Sequence, residues 1–143
     1  MRLNDWPERF DGFINEWRRR PFEWGKSDCL RFADEAYLAQ TGEHIFDDWF
    51  GTYRTQWGAL LNYKRQTTRT GHRNIIEAID RRLRRTDGLF MARGCIIGRK
   101  DYGAVTVTEI ALGVGLGDKA AFLGYDGLEF LPLKKTDIFW CVQ

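Results

Sequence analysis

Histidine is nearly missing from this chain, and that shortage sets the first limit on its chemistry. Only His44 and His72 occur among 143 residues. Cysteine is scarce as well: Cys29, Cys95 and Cys141 lie far apart, are odd in number and show no C-x-x-C spacing. This argues against a disulfide framework and against a zinc site of the usual ligand spacing; free thiols suit a reducing compartment. No apolar run approaches the ~20 residues that cross a bilayer, so no membrane span is expected. Nothing apolar follows Met1-Arg2-Leu3-Asn4-Asp5, so no secretory signal is expected either. Excess charge is also lacking. The 22 basic and 20 acidic residues leave +2, which gives no strong pull toward nucleic acid or an anionic membrane. Repeats and low-complexity segments are absent. No cofactor is implied: Gly113, Gly115 and Gly117 are not a dinucleotide fingerprint, because no helix follows them.

What the chain does have is apolar and aromatic mass. Hydrophobic residues make up 43 %, with six Trp and ten Phe, enough for one real core and one domain over 1–143. Phe10, Phe13, Ile14 and Trp17 recur at i, i+3, i+4, i+7 and predict a helix, with Asn4 or Asp5 as cap and Pro7 in its first turn. Arg18-Arg19-Arg20 closes it and Pro21 stops it. A second helix is expected just after Ser27 or Asp28 and should end at Thr41-Gly42. Cys29, Phe32, Ala33, Ala36 and Tyr37 share its inner face. Gln56–Tyr63 reads as a short helix through Trp57, Leu60 and Leu61, and Thr67–His72 as a loop. Ile75, Ile76, Ile79 and Leu83 mark a further helix capped near Asn74, with Arg81, Arg82, Arg84 and Arg85 on its polar face.

From Leu89 onward the pattern changes. Phe90–Ala92, Cys95–Ile97, Ala104–Ile110, Leu112–Leu116, Ala120–Leu123, Leu128–Leu131 and Ile138–Val142 are short apolar or β-branched runs between Gly-rich or charged turns. Five or six antiparallel strands are expected. Helices over about 1–86 followed by strands over about 87–143 make an α+β domain.

Cys29 is the residue with the most chemistry to offer. It stands at the first turn of a predicted helix, where unpaired backbone N–H groups and the helix dipole favour a thiolate. A thiolate can attack a carbonyl. Taken on position alone, a small buried Cys filling packing space is the commoner use.

The flanking residues point further. Trp24-Gly25-Lys26-Ser27-Asp28-Cys29-Leu30-Arg31-Phe32-Ala33 resembles the nucleophile motif of NlpC-type cell-wall peptidases, in which an aromatic-Gly turn leads to Asp-Cys at the head of a buried helix. Phage and prophage proteins near that family share the Thr41-Gly42 helix end, the Tyr53-Arg54 segment, Ala92-Arg93-Gly94 before a strand, and a closing Trp, here Trp140. The resemblance implies a papain-like fold with Cys29 in the nucleophile's place. By its spacing, Ala111-Leu112-Gly113-Val114-Gly115-Leu116-Gly117 matches the strand that carries the family's His, with Ala111 in the His place. The third catalytic position falls near Leu123. A thiol without a neighbouring base stays mostly protonated, and the leaving amine then has no proton donor. His44 is the candidate substitute base, since it follows the Cys29 helix by a short turn.

On this resemblance the expected role is a phage or prophage tail-tip or baseplate component. It would be made in the bacterial cytoplasm without a signal peptide, found in the virion tail, and partnered by other tail proteins. The alternative is an active cysteine peptidase or amidase that cleaves peptidoglycan stem peptides during genome delivery. Asp28 and Trp24 are candidate substrate contacts, Asp28 for a substrate amine as in the family, although a helix N-cap is its commoner use. The acidic residues Glu43, Asp47 and Asp48 match no metal-binding loop. Arg81–Arg85 reads as a solvated helix face before it reads as a phosphate contact. Trp49, Phe50, Tyr53 and Trp57 form a sugar- or peptide-binding platform, core, or a protein–protein contact of the kind enriched in aromatics. The alternate glycines of the 111–117 strand leave one sheet face bare for the Cys29 helix or a ligand backbone. Cys95 and Cys141 read as core.

Overall fold

A computed structural model describes residues 1–46, 49, 53–88, 91–100 and 108–142. Among these described residues four helices precede most of the sheet: α1 (Trp6–Trp17), α2 (Cys29–Thr41), α3 (Gln56–Thr70) and α4 (Ile75–Asp80). Six strands follow: β1 (Arg84–Thr86), β2 (Ile96–Arg99), β3 (Ala111–Gly115), β4 (Lys119–Gly124), β5 (Gly127–Pro132) and β6 (Ile138–Cys141). They form one antiparallel sheet in the order β1-β6-β2-β3-β4-β5. The α+β architecture expected from the sequence is therefore present.

The stripe of α1 buries Phe10, Phe13, Ile14 and Trp17, and Phe13 stacks on Phe32 of α2 at 5.2 Å. The inner face of α2 lies on β3 and β4. Phe32, Ala33 and Ala36 meet Leu112, Val114, Ala121 and Leu123 in one core, joined by Ile96 and Trp140. Two alanines on the helix let the backbones come close. Gly42 adopts φ +78 and caps the C-terminus of α2, the left-handed position where a side chain would be strained.

Strand alternation divides the sheet. The residues between the helix-facing ones form a second cluster on the opposite face: Ile97, Ala111, Ala120, Phe122 and Phe139. A buried ion pair ties that end of the sheet together. Arg99 donates to both oxygens of Asp137, at 2.8 and 2.7 Å, and to the Pro132 carbonyl at 2.8 Å, while its guanidinium lies over the Phe122 ring.

Three expectations need correction. Helix α3 runs on to Thr70, through the predicted loop, because it buries Ala59, Asn62 and Gln66 rather than the Trp57–Leu61 stripe; Trp57 and Leu61 are 67 % and 45 % exposed. Helix α4 stops at Asp80, and Arg84–Thr86 pairs with β6 as an edge strand, so the sheet begins earlier than expected and the arginines do not share a helix face. Met91 and Ala92, and Thr108 to Ile110 of the predicted 104–110 strand, lie in non-strand segments. Leu89 and Phe90, and residues 104–107 of the predicted 104–110 strand, lie outside the described residues.

Candidate functional site

The segment before α2 turns tightly to place Cys29. Glu23 pairs with Ser27, and Ser27 Oγ donates to the Pro21 carbonyl at 2.6 Å. Gly25 has φ +81, and a Cβ there would stand 2.1 Å from the Tyr53 carbonyl oxygen. Only glycine meets both demands. Asp28 then starts the helix. Its Oδ1 accepts from the Arg31 N–H at 3.0 Å, which makes it the N-cap. Its Oδ2 accepts from the Gly25 N–H at 3.1 Å and from the Tyr53 hydroxyl at 2.6 Å. The carboxylate is 3 % exposed, and three protein donors occupy it.

Cys29 is the first residue of α2 and is half-buried. It lines a narrow cleft of about 30 Å³ with Trp24, Asp28, Leu30, Tyr53 and Tyr63. Trp49, Ala59, Asn62 and Thr108 complete the wall. That volume is room for little more than a water molecule. Aromatic side chains fill the rest. Burial, and then the neighbouring Asp28 carboxylate, push the Tyr53 hydroxyl well above the ordinary phenol range. Tyr63 is pushed up by burial and by its hydrogen bond to Glu109. Both hydroxyls are therefore neutral donors at physiological pH. Asn62 holds the wall by donating to the Trp49 carbonyl at 2.7 Å.

Of the residues singled out in the sequence, Cys29, Asp28 and Trp24 are brought together here. His44 is placed elsewhere: its Nδ1 lies 2.6 Å from Oδ2 of Asp34. Asp34 is 1 % exposed, and its other oxygen accepts from the Ile45 and Phe46 N–H groups. This arrangement folds the turn after α2 back onto the helix. His72 is buried and stacks on Trp49 with 6.2 Å between ring centroids, not at the surface as a polar-loop residue would be. Neither histidine lines the cleft.

Ala111, the position that the NlpC resemblance aligns with a catalytic His, belongs to the far-face cluster, whereas Leu112 and Val114 face α2. A side chain at 111 points away from the Cys29 helix. The same alternation corrects the role of the glycines: a Cβ at Gly113 would meet Phe122, and one at Gly115 would meet Met91. The bare face is filled by these side chains and not by α2. Leu123 is buried beside Leu112 and Val114.

The aromatic group divides: Trp49 and Tyr53 line the cleft, Trp57 lies outside it, and Phe50 lies outside the described residues. So do Asp47 and Asp48 of the acidic cluster. Among the described residues no three His, Cys, Asp or Glu side chains converge as a metal site. No helix among them is long and apolar enough to cross a membrane. Two of the arginines have acidic partners, Arg81 with Glu77 and Arg85 with Asp80. A larger groove of about 520 Å³ runs past Arg85, Lys134 and Phe139 and shares no residue with the Cys29 cleft. Sequence reasoning did not single out Asn62, Tyr63 or Thr108. The polar Asn62 at helical spacing from Ala59 and Gln66 was the available signal for a buried polar wall.

The model of a family described as a domain of unknown function (DUF6950) matches residues 1–142. No curated protein and no solved structure matches the chain.

Proposed function

The chain belongs to the DUF6950 family, and on the geometry of its cleft we propose that this member is a non-catalytic structural component of a phage or prophage tail tip or baseplate. In this reading the domain is a papain-like, NlpC-type fold that keeps the nucleophile's seat without the peptidase chemistry. Support for the fold comes from the Trp24–Ala33 motif, from Cys29 at the head of a helix laid on an antiparallel sheet, and from the order of helices and strands. The tail assignment rests on the resemblance of these segments to phage proteins. The observation that carries the loss of catalysis is the lining of the Cys29 cleft: among the described residues it holds no histidine, and its carboxylate, Asp28, is taken up by the fold. Acyl transfer by a thiol needs a proton acceptor and then a proton donor within reach. Asp28, the candidate amine contact, is occupied by Gly25, Arg31 and Tyr53.

The second reading, an active cysteine peptidase or amidase on peptidoglycan stem peptides, is favoured by one observation. His44 is oriented by the buried Asp34 carboxylate, as an imidazole base in a triad is held by its acid. It requires a rearrangement that carries His44 into the cleft.

Incubation with a stem peptide, alongside Cys29→Ala, separates the two. We expect indistinguishable traces from both proteins; turnover abolished by the substitution overturns the structural reading. The tail assignment is tested by mass spectrometry of purified tail particles from the producing strain, in which absence of the chain would refute it.

A further inference from the structure

We propose that Cys95 and Cys141 are a redox-reactive pair that closes to a disulfide by exchange with a low-molecular-weight disulfide such as oxidised glutathione. The two thiols come from the neighbouring antiparallel strands β2 and β6. Their register pairs Ile96 with Trp140, Ile97 with Phe139 and Gly98 with Ile138. Continuing it by one position sets Cys95 opposite Cys141.

The backbone of Cys95 decides what kind of opposition this is. Its N–H donates to the Ala92 carbonyl, and its carbonyl accepts from the Gly115 N–H of β3. Neither group is left for β6, so Cys95 and Cys141 form a non-hydrogen-bonded pair. Such pairs are the narrow ones of an antiparallel ladder, with Cα atoms ~4.5 Å apart. Disulfides span Cα separations of roughly 4.4–6.8 Å. Cys141 is also near enough to be among the groups that push the Cys95 thiol up. Both are free in this structure.

Exposure sets the order of events. Cys95 is buried and burial pushes its thiol up, while Cys141 is half-buried. The Cys141 thiolate attacks one sulfur of glutathione disulfide and releases a glutathione thiolate. Cys95 gives its proton to that thiolate and then attacks the Cys141 sulfur, displacing the second glutathione as thiolate. The two protein thiols lose two protons and two electrons, and one glutathione disulfide becomes two glutathione molecules. The link joins β2 to β6 beside the edge strand β1, which pairs through Cys141.

The test uses the full chain exposed to oxidised glutathione, quenched with acid, unfolded, alkylated and mapped by peptide mass spectrometry. We expect one peptide pair joining Cys95 to Cys141, lighter by two hydrogens than the reduced pair and restored by dithiothreitol. The oxidised protein should melt several degrees above the reduced one, and Cys141→Ser should abolish both the linked peptide and that shift. Alkylation of both cysteines after oxidation, a stable glutathione adduct on Cys141, or a bridge to Cys29 in place of this one overturns the proposal. The peptide map reads the wild-type protein directly, so the outcome does not depend on the variant folding.

Discussion

Replacing Asp28 by Asn tests whether that carboxylate serves the fold or a ligand. Its oxygens accept from Arg31, Gly25 and Tyr53, and it is 3 % exposed. An asparagine can keep one bond through its own oxygen, for example the cap, which is worth ~1 kcal/mol. Its amide then presents N–H groups to the Gly25 N–H and the Tyr53 hydroxyl, two donors that had a charged acceptor. Losing two charge-assisted bonds in a buried place, with partial relief as the Tyr53 hydroxyl rotates, costs about 3 kcal/mol. For a domain of this length that lowers the melting temperature by ~10 °C. Urea unfolding followed by tryptophan fluorescence reads the change. Tyr53→Phe alone should cost less, and the double variant should show a coupling of about 1–2 kcal/mol with Asp28→Asn. A loss below about 1 kcal/mol for Asp28→Asn, with no coupling to Tyr53, would refute the claim that the fold uses this carboxylate fully.

Three further outcomes follow from the same structure. Asp137→Ala leaves the buried Arg99 without its bidentate partner and should cost ~3–5 kcal/mol in urea unfolding, whereas Arg99→Met with Asp137→Leu should recover most of that; equal losses in both would contradict it. Tyr53 and Tyr63 have raised folded-state values, so the unfolded chain releases protons near pH ~10 that the native state retains. The stability these groups provide is full below that pH and falls as pH rises through it; tyrosinate absorbance should show both ionising only with unfolding, and Tyr53→Phe with Tyr63→Phe should flatten the alkaline decline. Ala111→His places an imidazole in the far-face cluster with Ile97, Phe122 and Phe139, so it should destabilise by ~1–3 kcal/mol and confer no stem-peptide cleavage; a gain of activity would show that position 111 faces the cleft.

Much of the architecture was legible because local signals agreed with the final packing. The stripe of α1, the Asp28 cap and the Gly42 stop of α2, and strands β2 to β6 each carry their own periodicity or turn chemistry. Helix α3 was misread because its buried face carries Asn62 and Gln66 while Trp57 and Leu61 point to solvent. Arg84–Thr86 has no apolar alternation and becomes a strand only by pairing with β6. The site divides in the same way. Asp28 and Cys29 were visible as a motif at a helix start. Asp34 holding His44, Trp49 stacked on His72, and Tyr53 reaching Asp28 join residues across turns and helices, and one-dimensional spacing does not encode those contacts. The face of the sheet toward which Ala111 points depends on strand register, which a one-residue shift reverses.

The central claim is that this domain keeps the nucleophile's seat without its reaction. A stem peptide incubated at neutral pH with wild-type protein and with Cys29→Ala, and analysed for cleaved product by mass spectrometry, measures it most directly. The account predicts identical product levels, both equal to peptide alone. Product formed by the wild type and absent with Cys29→Ala would contradict it.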